Sequence, residues 1–157
     1  MKIKLYSHNY GEHALEPDVL QPILEVVQGT SYEIKKGCGS NLREAFLEEF
    51  RRFGWSGAVR IDKDKGITIT STKNGVALCL QTGNMSRFYA DLLKLQATYV
   101  KGKAKSAIYI VPTKIAARVI GDNIAQYERM TRELESFNKV ITMPIVVIGF
   151  EGDNKED

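Results

Sequence analysis

The chain has 157 residues, with 22 Lys and Arg against 19 Asp and Glu, for a formal net charge of +3. With 43% hydrophobic and 26% charged residues it has the size and apolar content of one soluble domain with a real core, which excludes a disordered chain. Its two cysteines, Cys38 and Cys79, and two histidines, His8 and His13, exclude a disulfide scaffold, a four-cysteine zinc site and a histidine-rich metal centre.

The charge is uneven. The last seven residues carry four acids and one base, and setting them aside leaves 21 basic against 15 acidic residues, a body of +6. A moderately basic body suits a polyanionic partner without demanding one. Residues 1–150 therefore read as one domain and residues 151–157 as an acidic tail. The first residues lack the apolar stretch of a secretory leader and no run is long enough to span a bilayer, so the expected location is cytoplasmic, with no membrane partner.

Residues 2–6 alternate polar and apolar side chains, the period of a half-buried strand. Pro17 can occupy a first helical turn, where its missing N–H costs nothing, and Val19, Leu20, Ile23, Leu24, Val26 and Val27 then form a helical stripe ending near Gly29. A second helix is predicted from Asn41, as cap with Glu44 three residues on, through Leu42, Ala45, Phe46 and Phe50 towards Gly54. Residues 58–61, 67–70 and 76–80 read as strands, with 62–66 and 73–75 as turns. A long helix is predicted over 86–100, with Phe88, Leu92, Leu95 and Tyr99 on one face. Residues 107–111 form a continuous apolar run, as in a strand buried on both sides. A helical region over 113–137, interrupted near residues 121–123, and a strand over 145–150 complete the chain. The predicted fold is a mixed α/β architecture, a central mixed sheet flanked by helices.

The chain has no phosphate-binding glycine loop, no Gly-x-Ser-x-Gly elbow and no Cys-x-x-Cys. Cys79, inside an apolar strand, reads first as a small core residue. Lys101, Lys103 and Lys105 read first as a solvated helix end, and Arg51 and Arg52 as surface charge. More pointed is the order strand, turn, strand ending in Gln81, then residues 82–87 leading into a helix. Metal-dependent nucleases use this layout to bring carboxylates on two strands to one Mg²⁺. Residues two apart on a strand share a face, so Cys79 and Gln81 point the same way.

With these residues in place, the chain resembles the BglII/BstYI family of type II restriction endonucleases, within the PD-(D/E)XK nuclease superfamily. The resemblance runs from Leu5-Tyr6-Ser7-His8 and Gly11 through the helix of Pro17 to Val27, which places Glu25 where the family carries an acid. It continues through Leu42-Arg43-Glu44-Ala45-Phe46, Gly54-Trp55, the strand Val76 to Gln81, Asp91-Leu92, Ile124, Tyr127-Glu128 and Pro144 to Gly149. The implied fold is a restriction-endonuclease-like core.

The departures bear on chemistry. The family's motif is an Asp followed nine residues later by Glu-x-Gln, and the matching positions here hold Thr70, Cys79 and Gln81. Mg²⁺ requires oxygen ligands, usually carboxylates, and a thiol is a poor substitute. Asp64 is six residues from Thr70, about 20 Å along an extended strand, too far to share a metal. The chain also lacks much of the segment that relatives carry between Gly-Trp and the catalytic strand. The resemblance thus implies degenerate catalytic positions at Glu25, Thr70, Cys79 and Gln81, no metal ligand set, and no cofactor, or Mg²⁺ if the protein is active.

The implied partner is double-stranded DNA. Active relatives read short palindromes containing GATC as symmetric dimers, which implies a homodimer and a restriction-modification context. The implied DNA-facing residues are Asn84, Ser86, Arg87 and Asn123, with Lys94, Lys103 and Lys114 as phosphate contacts. The leading expectation is a pseudo-nuclease that binds DNA with impaired or absent catalysis. The alternatives are an active site-specific deoxyribonuclease using Glu25, Gln81 and Asp62 or Asp64, and a protein-interaction module that kept only the nuclease fold.

Overall fold

Three apolar runs are buried almost without interruption, and each becomes a central strand: β5 (Val76–Leu80), β6 (Ser106–Pro112) and β7 (Ile145–Glu151). These three run parallel, pairing Val76 with Ser106 and Ala107 with Ile145. The computed structural model describes residues 1–153. Antiparallel strands close the sheet at both edges: β1 (Lys2–His8) lies beside β7, and β4 (Ser71–Lys73) beside β5. The sheet order is β1-β7-β6-β5-β4, a mixed sheet as expected.

Side-chain alternation sends successive residues of the central strands into two separate cores. Leu78, Leu80, Ile108, Ile110, Val146 and Ile148 pack on one face, against Ile23 and Val27 of α2 (Pro17–Gly29) and Leu42, Phe46 and Phe50 of α3 (Gly39–Arg52). Ala77, Cys79, Tyr109, Val111, Ile145 and Val147 pack on the other. There they meet Phe88, Leu92 and Leu95 of α4 (Ser86–Val100), and Met130 and Leu134 of α6 (Tyr127–Ser136). Burying a side chain of this size is worth about 1.5–3 kcal/mol, so two filled faces rather than one account for a chain with long continuous apolar runs.

The remaining elements are short: α1 (Gly11–Ala14), α5 (Lys114–Ile120), and a separate hairpin of β2 (Val59–Asp62) with β3 (Ile67–Ile69). The strand expected over 67–70 is present as Ile67–Ile69, and the chain bends at Thr70 and passes into an unexpected further strand, β4 of the main sheet, whose last residue Lys73 lies in the turn expected from the sequence. The β4–β5 connection is a two-residue Asn74-Gly75 turn, with φ of 48° and 75°, the backbone that such a hairpin demands. The helix expected from Asn41 begins at Gly39, with no side-chain cap, so Asn41 lies inside it. The acidic tail is only partly separate: Glu151 is the last residue of β7 and accepts from the Thr113 hydroxyl at 2.8 Å, and Asp153 pairs with the N-terminal amine at 3.2 Å. Residues 154–157 of that tail lie outside the described residues. Among the described residues, no helix is long and apolar enough to cross a membrane.

Candidate nucleic-acid cleft

At the carboxyl end of β5 the chain leaves the sheet through residues 81–85, and a cleft of about 470 Å³ opens there. Loops at the carboxyl ends of parallel strands are where open α/β sheets place ligands. The exit is anchored on three sides. The Gln81 amide bonds the Ile110 carbonyl, the buried Thr82 hydroxyl donates to Gly39 of α3 at 2.9 Å, and the Met85 amide bonds the Asn123 carbonyl at 2.7 Å. The Asn84–Ile124 bridge joins the residue 81–85 loop to the one after α5, so Asn84 and Asn123 lie on a single rim.

Cys79 and Gln81 share a face, yet the environment separates them. Cys79 is sunk in the core, where burial first, and then the nearby Asp91 charge, push its thiol far above the ordinary range. Gln81 is half-buried at the cleft and locked at both ends of its amide. Its Nε2 donates to Asp91 Oδ2 at 2.8 Å, while its Oε1 accepts from the Gly83 amide at 3.0 Å. Asp91 Oδ2 also accepts from the buried Tyr109 hydroxyl at 2.8 Å, and Asp91 Oδ1 lies 3.9 Å from Lys94 Nζ. Thr70 faces the same cleft, its hydroxyl accepting from the Leu80 amide at 3.3 Å.

Of the residues anticipated from the sequence, Thr70, Gln81, Arg87 and Lys94 line this cleft. Asn84, Ser86 and Asn123 are exposed on its rim, although Asn84 Oδ1 is engaged by the Ser86 amide at 2.9 Å and the Ser86 hydroxyl at 2.8 Å. Lys114 opens α5, at the same end of the sheet, with its amide bonded to Glu128. Glu25 is not brought in. It lies on an exposed turn of α2, bordering a different groove with Glu48 and Glu49, and accepts from Gln21. Asp62 folds back on its own turn, accepting from the Asp64 and Lys65 amides at 3.1 Å, and this holds its carboxyl below the usual range. Lys103 follows α4, a helix about 22 Å long, and its Nζ reaches the Ile61 carbonyl at the end of the sheet away from Gln81.

Two cleft residues carry the resemblance along the sequence but receive no site role from it. Asp91 and Arg43 both line the cleft, from α4 and from α3 respectively. Asp91 is set one turn or so into a helix whose apolar neighbours Phe88, Leu92 and Leu95 face the sheet. An acid on the edge of that stripe was the available signal. Among the described residues, no group of three or more His, Cys, Asp and Glu side chains could hold a metal ion.

A family model described as restriction endonuclease BglII/BglIII matches residues 3–150. The chain belongs to that family. Among solved structures, it is similar to the restriction endonuclease BglII in complex with a DNA 16-mer, with a TM-score of 0.87 at 18% identity, covering 99% of this chain and 78% of that one. It is also similar to free BglII, with a TM-score of 0.78 at 20% identity, covering 99% of this chain and 82% of that one. No curated protein sequence matches it. At such identities the structural likeness establishes the fold, and the family's restriction-endonuclease architecture is the one described above.

Proposed function

We propose that this chain binds double-stranded DNA as a symmetric dimer through the Gln81 cleft and its rim, and does not carry out Mg²⁺-dependent hydrolysis there. The observation that carries this reading is the donor set at the cleft of a BglII/BglIII-family fold. The two positions where the family's motif has carboxylates hold Thr70, whose hydroxyl is bonded to the Leu80 amide, and Cys79, whose thiol is buried. Gln81 and Asp91 bond each other, and Asp91 Oδ2 is shared with Tyr109. A small hard cation demanding six well-placed oxygens finds one carboxylate here, already engaged, with three basic side chains around the cleft. These residues do not fit Mg²⁺.

DNA binding rests on family membership and on the character of the rim. BglII, the structural neighbour, is seen with a DNA 16-mer. The exposed Asn84 and Asn123 have the side-chain type that reads adenine edges, and Arg87, Lys94 and Lys114 suit phosphates. Incubation of supercoiled plasmid with Mg²⁺ or Mn²⁺ tests the catalytic half, and a gel shift on duplex DNA against an acidic competitor tests the binding half. Retained binding without nicking is the expected result. Light scattering in solution checks the dimer. Asp91 beside Gln81 gives the active-enzyme reading its one structural support, so cleavage that disappears in Asp91→Asn would overturn the catalytic half.

A further inference from the structure

The cleft's charge is arranged unusually for a place that a divalent metal would occupy. Arg43 from α3 and Arg87 and Lys94 from α4 line it, against the single carboxylate of Asp91. The three cations come from helices on opposite faces of the sheet, and the residue 81–85 loop ties those layers together through the Thr82–Gly39 bond. Asp91 directs one oxygen inward to Gln81 and Tyr109, and its contact with Lys94 is long, at 3.9 Å. Among the described residues, the ion-pair partner of Arg43 is the exposed Glu44 at 3.5 Å, a pair of little energetic weight. Arg87 makes no ion pair among the described residues, and its Nη1 stands 3.5 Å from where a side chain on Gly83 would begin.

We propose that Arg43, Arg87 and Lys94 together form a metal-independent seat for one phosphodiester group of the DNA backbone. This rests on the DNA-binding reading above and identifies the group held at its centre. A metal-dependent nuclease neutralises the phosphate at this point with a divalent ion. Here fixed cations supply that charge, two of them guanidiniums whose forked N–H groups match phosphate oxygens in pairs. Lys94 adds a point charge from the next turns of the helix that carries Arg87.

The test is fluorescence anisotropy of a labelled duplex with wild-type protein and Arg43→Gln, Arg87→Gln, Lys94→Gln and Arg87→Lys, with Lys101→Gln at the far end of α4 as control. Wild-type affinity should agree within about twofold in EDTA and in Mg²⁺. Each Gln substitution in the cleft should weaken binding by about tenfold, the order expected for losing a hydrogen bond to a charged group. The three Gln substitutions combined should flatten the dependence of log affinity on log salt by about 0.9, the value for one phosphate contact, and each alone by less. Arg87→Lys should recover part of the loss. Duplex binding by the cleft variants with the affinity and salt slope of Lys101→Gln would overturn the seat while leaving DNA binding intact. If wild-type protein binds no duplex, the DNA-binding reading fails, and an amide NMR titration with inorganic phosphate decides the cleft alone. Shifts at Thr82 and Gly83 that vanish in Arg87→Gln would uphold an anion seat, and their absence would overturn it.

Discussion

Gln81 donates from its side-chain amide to the Asp91 carboxylate at 2.8 Å, joining the first residue after the central strand β5 to the second turn of α4. The same carboxylate oxygen accepts from Tyr109 on β6, so one acid from a helix ties two strands together under the cleft. A strand-end glutamine thus acts as a brace between elements.

Removing that acid should be costly. In Asp91→Ala, the buried Tyr109 hydroxyl and the Gln81 amide both lose their acceptor, and an unsatisfied buried donor costs about 1–3 kcal/mol. Tyr109→Phe leaves Asp91 with Gln81 and Lys94, and should cost only about 0.5–1.5 kcal/mol. Urea denaturation of the two variants measures the difference, and equal losses would refute the brace.

Burial raises both the Cys79 thiol and the Tyr109 hydroxyl well above their ordinary values, with Asp91 adding to each. A raised folded-state value contributes stability that is complete below the unfolded-state pKa and is lost as pH climbs past it. For a thiol that loss begins near pH 8.5, and for a phenol near 10. Stability should therefore decline steadily from about pH 8.5 upward, and Cys79→Ala should show less of this decline in denaturation curves at pH 7, 9 and 10.5. Native protein should also resist thiol alkylation at pH 8, since both cysteines are buried.

His8 behaves in the opposite sense. Burial lowers its pKa, partly countered by the Ile141 carbonyl 2.6 Å from its Nε2. The unfolded chain then takes up a proton that the folded one resists, so stability is present above about pH 6.5 and falls on acidification below it. The slope for one such group is at most about 1.4 kcal/mol per pH unit. Denaturation at pH 7.5, 6 and 5 checks the direction, and His8→Gln should flatten the dependence.

Gly11 begins α1 where that turn crosses β7, and a Cβ there would lie 2.3 Å from the Ile145 carbonyl oxygen, a backbone atom that cannot swing aside. Gly11→Ala should cost about 3 kcal/mol or more. Gly29 ends α2 with nothing within 4 Å of the same position, so Gly29→Ala should be neutral or stabilising by up to about 1 kcal/mol. Melting temperatures of the pair test the contrast.

Much of this architecture was legible along the chain. The period of two in residues 2–6, the helical stripe from Val19 to Val27 and the apolar runs at residues 107–111 and 145–150 each sit where the folded protein has the matching element. Elements of this kind are specified by neighbours a few residues apart, which a linear reading captures. The break at Thr70 was harder to see, because it follows from two separate sheets competing for one stretch of chain and no local residue marks it.

The site divides in the same way. That Thr70, Cys79 and Gln81 follow a spacing of nine and two residues, which the resemblance aligns with the family's motif, is countable in the sequence. Which side chains surround Gln81 is not, since Arg43, Asp91 and Tyr109 are 38, 10 and 28 residues away and come from three different elements. Glu25 and Asp62 are acids of the right type, yet α2 and the β2–β3 turn carry them elsewhere. Residue type and spacing express what a position can do chemically. Whether it acts at a cleft depends on how packed layers rotate helix faces towards one strand end, and that orientation is set by burial of the two cores on either side of the sheet.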